Sequence, residues 1–109
     1  MVAFGSAELG AYTARLISDM DRVGTKVRRD EWQFSEVDGY PLGIRINYAH
    51  REQRIHLLHG RREVDLVSVN IDATEPGFPT LDDLLERLRT QVAARKVDTA
   101  IHRTGEEVK

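Results

Sequence analysis

The spacing of the apolar residues changes twice along this chain, and it limits the folds that the chain can adopt. Between Ser6 and about Val23, apolar side chains recur every three or four residues, as on one face of an α-helix. From Trp32 to Asp72 they recur mostly at every second position, as on one face of a β-strand. Helical spacing returns after Thr80. The sequence therefore predicts a helix, then strands, then a second helix.

The first predicted helix has recognisable ends. Ser6 is a competent N-cap residue, and Glu8 suits the positive end of the helix dipole. Gly24 follows the last periodic residue, at the position where a left-handed glycine commonly stops a helix. These residues predict a helix from Ser6 to about Val23.

Three or four antiparallel strands are predicted between the helices. Alternating residues define the segments Trp32–Glu36, Leu42–Tyr48, Arg54–His59 and Glu63–Asp72. Turn-forming or polar residues separate these segments at 37–41, 49–53 and 60–61. The alternation slips between Leu66 and Val67, which predicts a bulge, or burial on both faces, at that point.

A loop with two prolines, residues 74–79, leads into the second predicted helix. Thr80 is placed to cap this helix, and Asp83 occupies the third helical position as a short version of a capping box. Few apolar residues follow Asp98, so we expect residues 99–109 to fray.

A single α+β domain that spans residues 1–109 accounts for these elements. Each helix has one apolar stripe and the strands share one apolar face. Both helices are therefore predicted to pack on the same face of an antiparallel meander, in two layers. The other face of the sheet is then solvated, and its predicted occupants are Arg45, Asn47, Arg54, His56 and Leu58.

The composition excludes several classes of protein. The 109 residues include no cysteine, which excludes a disulfide scaffold, a thiolate zinc site and a cysteine nucleophile. No run approaches the roughly 18 apolar residues of a membrane span, and the N-terminal residues lack the pattern of a secretory signal. We therefore expect a cytoplasmic protein that does not contact membranes.

Charge is segregated along the chain, although the net charge is only -2. Residues 43–62 hold five arginines against one glutamate, a balance of +4. Residues 63–86 hold seven acidic residues and no basic one, and residues 87–109 return to +3. Such alternation predicts either charge pairing within the fold or two oppositely charged surfaces.

A solvated sheet face that carries arginine, asparagine and histidine predicts a protein-binding domain without enzymatic activity. Adaptors, inhibitors and regulatory accessory proteins, some of them encoded by phages, are proteins of this kind. The partner is another protein or a second copy of the chain, which would give a homodimer through the sheet. Phe78, in the proline loop, adds either an exposed apolar contact or a contact beneath the second helix. The predicted contact residues are Arg45, Asn47, Arg54, His56, Leu58 and Phe78.

Nucleic-acid binding is the alternative hypothesis. Guanidinium groups and flat rings interleaved on one strand pair suit phosphate contact and base stacking. The arginines of this hypothesis are Arg45, Arg51, Arg54, Arg61 and Arg62. The isoelectric point near 6.1 disfavours it, because nucleic-acid-binding domains are usually strongly basic.

A small enzyme without a recognisable motif is a third possibility. The chain contains no nucleophile elbow, no phosphate-binding loop and no metalloprotease motif. The adjacent Asp82 and Asp83 are better explained as partners of a helix dipole than as a catalytic pair. A shared metal site is conceivable only for His50 and His59. We therefore expect no catalytic residues, no metal and no cofactor.

Overall fold

The fold was obtained as a computed structural model, which describes residues 6–49, 51–72 and 78–108, with side chains as far as residue 95. The elements in chain order are α1 (Ser6–Val23), β1 (Thr25–Arg28), β2 (Glu31–Val37), β3 (Tyr40–Ala49), β4 (Glu52–His59), β5 (Arg62–Asn70) and α2 (Leu81–Val108). The predicted α+β class and the order helix, strands, helix are confirmed.

The strands form one antiparallel sheet in the order β1-β2-β3-β4-β5, so each strand pairs with its neighbour in sequence. Every hairpin connection has two residues, because the last paired positions are Arg28 with Glu31, Val37 with Tyr40, Ala49 with Glu52, and His59 with Arg62. In the second connection, Asp38 and Gly39 both have positive φ, 54° and 85°, a geometry that matches the twist of the flanking strands. The predicted meander is confirmed, with one strand more than expected.

The additional strand is β1, which corrects the predicted number of three or four strands. All four residues of β1 are exposed, so no alternation of buried and exposed positions marks the segment in the sequence. Pairing of Thr25 with Gln33 joins β1 to β2, and the Lys26 ammonium lies 5.3 Å from the centroid of the Trp32 ring. Tertiary pairing, rather than a local pattern, makes this segment a strand.

The irregularity in β5 is a bulge at Val64 and not a slip between Leu66 and Val67. Strand pairing skips Val64, because its two neighbours pair with consecutive residues of β4. Val64 and Val67 are both buried, whereas Leu66 points to the opposite face with 43% of its surface exposed. The predicted position was wrong because apolar residues lie near the bulge on both faces of the sheet, so the sequence does not show where the alternation of buried and exposed positions shifts.

Both helices pack on one face of the sheet, as predicted. Helix α1 contacts β1, β2 and β4, and helix α2 contacts β4 and β5. Inward-pointing residues of the sheet meet the apolar stripes of both helices in one core, whose fully buried members include Met20, Trp32, Ile44, Leu57 and Leu88. Neither helix covers the opposite face of the sheet, and no described helix is long and apolar enough to span a membrane.

One buried polar cluster also joins α1 to the sheet. The hydroxyl oxygen of Thr13 lies 2.9 Å from the side-chain oxygen of Gln53 and 2.9 Å from the carbonyl oxygen of Leu9. The Gln53 amide donates a hydrogen bond to the carbonyl of Asn47 at 3.0 Å. The Thr13 hydroxyl has one hydrogen for these two acceptor oxygens. Since Gln53 is only 1% exposed, the cluster provides partners for polar groups that water does not reach.

The capping box of α2 is confirmed. The Asp83 amide donates to the Thr80 hydroxyl at 3.1 Å, and the Thr80 amide donates to the Asp83 carboxylate at 3.0 Å. The helix continues to Val108, and the expectation that residues 99–109 fray stays a prediction. No proline follows Pro79 in the sequence, so nothing removes an amide donor from the helical ladder. Lys109 lies outside the described residues.

Candidate protein-contact surface

The face of the sheet that points away from both helices, the outer face, brings together four of the residues predicted to occupy it. Arg45 of β3 lies directly opposite His56 of β4, and Asn47 lies directly opposite Arg54. Because β-strand side chains alternate between faces, these four residues share one side of the sheet. Other described members of this face include Arg28, Glu31, Gln33, Gly43, Ala49, Glu52, Leu58, Glu63, Leu66, Ser68 and Asn70.

His56 is held at the centre of the outer face by a hydrogen bond at each ring nitrogen. Its Nδ1 contacts a carboxylate oxygen of Glu63, and its Nε2 lies 2.9 Å from the amide nitrogen of Asn47. The Asn47 amide donates to Nε2, which places the ring proton on Nδ1 and directs it to Glu63; this tautomer is assigned from the partners. The ring of His56 therefore links β3, β4 and β5. Its side chain is only 13% exposed.

Carboxylates face the arginines on either side of His56. The guanidinium of Arg54 lies 2.5 Å from the carboxylate of Glu52, and that of Arg45 lies 4.0 Å from Glu31. Exposed pairs of this kind add little to stability. The short Arg54–Glu52 pair does restrict its side chains before any partner arrives, which lowers the entropic cost of ordering them at an interface, whereas the Arg45–Glu31 pair is loose.

Leu58 lies on the outer face, but it is buried, which corrects the expectation of an exposed contact residue. It is 4% exposed and pairs with Gly43 across the β3–β4 ladder. A Cβ atom added at Gly43 would lie 3.4 Å from the Cβ of Leu58, so the leucine fills the space that glycine leaves. The exposed apolar residue of this face is instead Leu66, which pairs with His56.

An open groove of about 640 Å³, the outer groove, crosses one end of the outer face. Three arginines line it together with a single carboxylate, and Leu58 lies in its floor. Gly43 adds no side chain over Leu58, so the leucine itself lines the groove. The lining residues are Arg28, Glu31, Gln33, Pro41, Arg45, Leu58, Gly60 and Arg61.

Phe78 is a contact at the base of α2 rather than an exposed apolar contact. Its ring stacks on Tyr12 of α1, with centroids 4.9 Å apart and planes inclined by 13°. The Tyr12 hydroxyl donates a hydrogen bond of 2.7 Å to the carbonyl of Pro79. Burial, with a smaller contribution from the Asp83 carboxylate, raises the pKa of the Tyr12 phenol. Phe78 therefore lies on the helical side of the molecule, away from the outer face.

The five arginines of the nucleic-acid hypothesis do not converge. Arg51 precedes β4 and pairs with Asp72 at 2.8 Å, whereas Arg61 and Arg62 follow the strand. At about 3.3 Å per residue, a strand of this length separates the two groups by about 26 Å. Carboxylates occupy the space between them, so no continuous basic stripe runs along the hairpin.

The histidines do not form a metal site within the described part of the chain. His59 lies 2.6 Å from the carbonyl oxygen of Val37 and packs its ring edge against Tyr40. His50, its proposed partner, lies outside the described residues. Across the described residues, no group of three or more possible metal ligands is found.

Sequence reasoning missed Arg28, Glu31 and Glu63 as members of this surface. Arg28 and Glu31 close the hairpin of β1, the strand that carries no alternation signal. Glu63 reaches His56 because the bulge at Val64 shifts the register by one residue. The turn residues between Arg28 and Glu31 were the available signal, since Asp30 adopts a positive φ of 63°.

No family model matches the chain, and no curated protein or solved structure is significantly similar to it. Its function therefore has to be inferred from the chemistry of the outer face.

Proposed function

We propose that this protein is a protein-interaction domain without enzymatic activity, and that its outer face is the contact surface. One observation carries the proposal: the helices cover only one face of a five-stranded sheet, and the other face holds an ordered array of paired polar side chains around the exposed Leu66. Arginine and histidine in restrained geometry, next to an exposed leucine, are suited to an interface.

The size of the outer face supports this role. Five strands at about 4.8 Å spacing and about eight residues at 3.3 Å each give an area of roughly 600 Å². A stable protein–protein interface buries roughly 800 Å² on each partner. The outer face alone is about three quarters of that area, so a complex of standard size also uses the side chains at its margins.

The charge pattern favours a protein partner over a nucleic acid. Glu31, Glu52 and Glu63 interleave with the arginines of the face. A phosphate backbone would meet these carboxylates as well as the guanidinium groups, which opposes the neutralisation on which such binding depends. A protein surface that carries both signs can pair with both, and a second copy of the chain is one such surface.

A binding role also explains the residues that most resemble catalytic groups. His56 uses both ring nitrogens for Glu63 and Asn47, and Asp83 uses its carboxylate to cap α2. These side chains stabilise the surface and the helix, and no substrate is needed to account for their positions.

Photocrosslinking in the cells that produce the protein tests this proposal. Benzoylphenylalanine replaces Leu66 or Ser68 on the outer face, and Glu86 or Arg89 on the exposed side of α2 as matched controls. We expect one discrete heavier adduct from positions 66 and 68 and none from 86 and 89, since only the outer face contacts a partner.

The mass of the adduct distinguishes a second copy of the chain from a different protein. Adducts from the α2 positions alone, or none from the outer face, would contradict the proposal.

A further inference from the structure

The outer groove carries a charge imbalance that the remainder of the outer face lacks. Arg28, Arg45 and Arg61 line it against one carboxylate, that of Glu31. Glu31 is 4.0 Å from Arg45, and within the described residues neither Arg28 nor Arg61 forms an ion pair. Two exposed guanidinium groups therefore remain available to a ligand at this end of the sheet.

The dimensions of the groove suit an extended chain. Arg45 lies opposite His56, and β4 runs three residues further to His59, beyond which the two-residue turn carries Arg61. At about 3.3 Å per residue the strand part of this distance is about 10 Å, the length of roughly three residues in an extended peptide. Between the two ends the groove is lined by the apolar Leu58 and Pro41 and by the polar Gln33.

We propose that the outer groove binds an extended acidic segment of a partner protein, with carboxylates of the ligand on the guanidinium groups at its two ends. This inference rests on the proposed function and adds the chemistry of the partner. Arginine is suited to this task, because its planar fork pairs two carboxylate oxygens at once. The groove has no aromatic lining residue on which a base would stack, which favours a peptide over a nucleic acid.

Glu31 acts as an internal competitor for the acidic ligand. Its carboxylate is 12% exposed and faces Arg45 at a distance that leaves the pair loose. An acidic ligand has to share Arg45 with this carboxylate and is repelled by it. Removal of the charge at position 31 is therefore expected to strengthen binding, an effect that a purely structural role for the residue does not produce.

Fluorescence anisotropy with a labelled hexaglutamate peptide at low ionic strength tests the inference. The variants Arg28→Gln and Arg61→Gln are each expected to weaken binding about threefold, and both together about tenfold. Arg89→Gln on α2 removes the same charge from an exposed position outside the groove and is expected to leave the affinity unchanged. Glu31→Gln is expected to strengthen binding about threefold.

A change of shape without a change of charge separates the groove from general attraction between charges. Gly43→Val places two methyl groups beside Leu58 and is expected to weaken hexaglutamate binding by at least threefold. Circular dichroism establishes that the variant is folded. If it does not fold, the charge variants Arg28→Gln and Arg61→Gln still test the groove, because both residues are exposed.

Three results would overturn the inference. Equal weakening by Arg89→Gln and by the groove variants would indicate general attraction of charge. If a labelled oligothymidylate of ten nucleotides binds more tightly than hexaglutamate, with the same dependence on Arg28 and Arg61, the groove is a nucleic-acid site. If hexaglutamate does not bind but positions 66 and 68 still give adducts, the groove does not bind an acidic segment, although the proposed function stands.

Discussion

The indole nitrogen of Trp32 donates a hydrogen bond of 2.7 Å to the carboxylate of Asp21. The bond connects β2 to the last turn of α1, and the Trp32 side chain is fully buried beneath it. An indole N–H has only one hydrogen to donate, so the carboxylate decides whether this buried donor is satisfied.

Asp21→Ala is therefore expected to destabilise the protein by about 1–3 kcal/mol, the cost of leaving such a donor without its acceptor. Urea unfolding followed by tryptophan fluorescence measures the change directly, because Trp32 is the single tryptophan of the chain. Asp19→Ala is the matched control: Asp19 pairs with the exposed Arg22 at 3.2 Å, its one ion pair among the described residues, and should change stability by less than about 1 kcal/mol. Equal effects at both positions would contradict this role of Asp21.

Alanine substitutions at two glycines, one within α1 and one directly after it, should change the stability of the protein in opposite directions. A Cβ atom at Gly24 would lie 2.6 Å from the ring of Phe34 and 2.7 Å from the carbonyl of Gln33, so the backbone has to move. Gly24→Ala is expected to cost about 1–3 kcal/mol. Gly10 has nothing within 4 Å of such an atom, and Gly10→Ala in α1 is expected to stabilise by about 1 kcal/mol. Thermal unfolding of both variants checks the pair, and stabilisation at Gly24 would contradict the close approach.

The capping box of α2 gives a third test. Thr80→Ala removes the acceptor for the Asp83 amide and should lower the free energy of unfolding by about 1 kcal/mol. Thr90→Ala, at an exposed position inside the same helix, should be neutral or slightly stabilising, since alanine has the higher helix propensity. Chemical denaturation of the two variants separates loss of a cap from loss of a threonine, and equal values would argue against the cap.

Asp65 makes stability depend on pH in the acid range. Burial alone raises the pKa of its carboxyl, but the hydrogen bonds from Arg87 and from the Leu66 amide, with the charges of Arg87 and Arg95, hold the pKa below its ordinary value. A carboxyl whose pKa is lower in the folded state stabilises the fold fully above the unfolded pKa of about 4, and this contribution is lost as pH falls through the folded pKa.

The stability difference between wild type and Asp65→Asn should therefore be largest near neutral pH and shrink as pH decreases below about 4. Urea titrations at a series of pH values measure it. Arg87→Gln should reduce the same pH dependence, because it removes the main hydrogen-bond partner. A difference that stays constant with pH would show that the Asp65 charge does not stabilise the fold.

Local patterns are sufficient to predict much of this fold. The cap at Thr80 and the period-two alternation of β3 and β4 each depend on neighbours in sequence. Helix α1 ends before Gly24 as predicted, but this glycine does not adopt the predicted left-handed conformation; it lies where the chain passes close to Phe34. That alternation alone predicts that Arg45, Asn47, Arg54 and His56 share one face of the sheet, as they do. The carboxylates that offset the positive charge of the β3–β4 hairpin come from other strands, and local patterns do not predict their contacts. Glu31 reaches Arg45 from another strand, and Glu63 reaches His56 across a bulge.

The remaining errors share one physical cause, which is that tertiary neighbours override the local pattern. Strand β1 forms although all its residues are exposed, because β2 supplies the pairing. Leu58 is buried on a face expected to be solvated, because Gly43 opposite it leaves room. Phe78 stacks on Tyr12, a residue 66 positions earlier in the chain. Single-residue propensities contain none of these relationships.

Chemical-shift mapping with hexaglutamate on the ¹⁵N-labelled protein tests binding at the outer groove most directly, since it reports every backbone amide at once. We expect amide shifts that saturate with peptide concentration at Gln33, Arg45, Leu58 and Arg61, and no shifts at the amides of Glu86 and Arg89. Shifts centred on the exposed side of α1 or α2, with the outer face unchanged, would contradict binding at this groove.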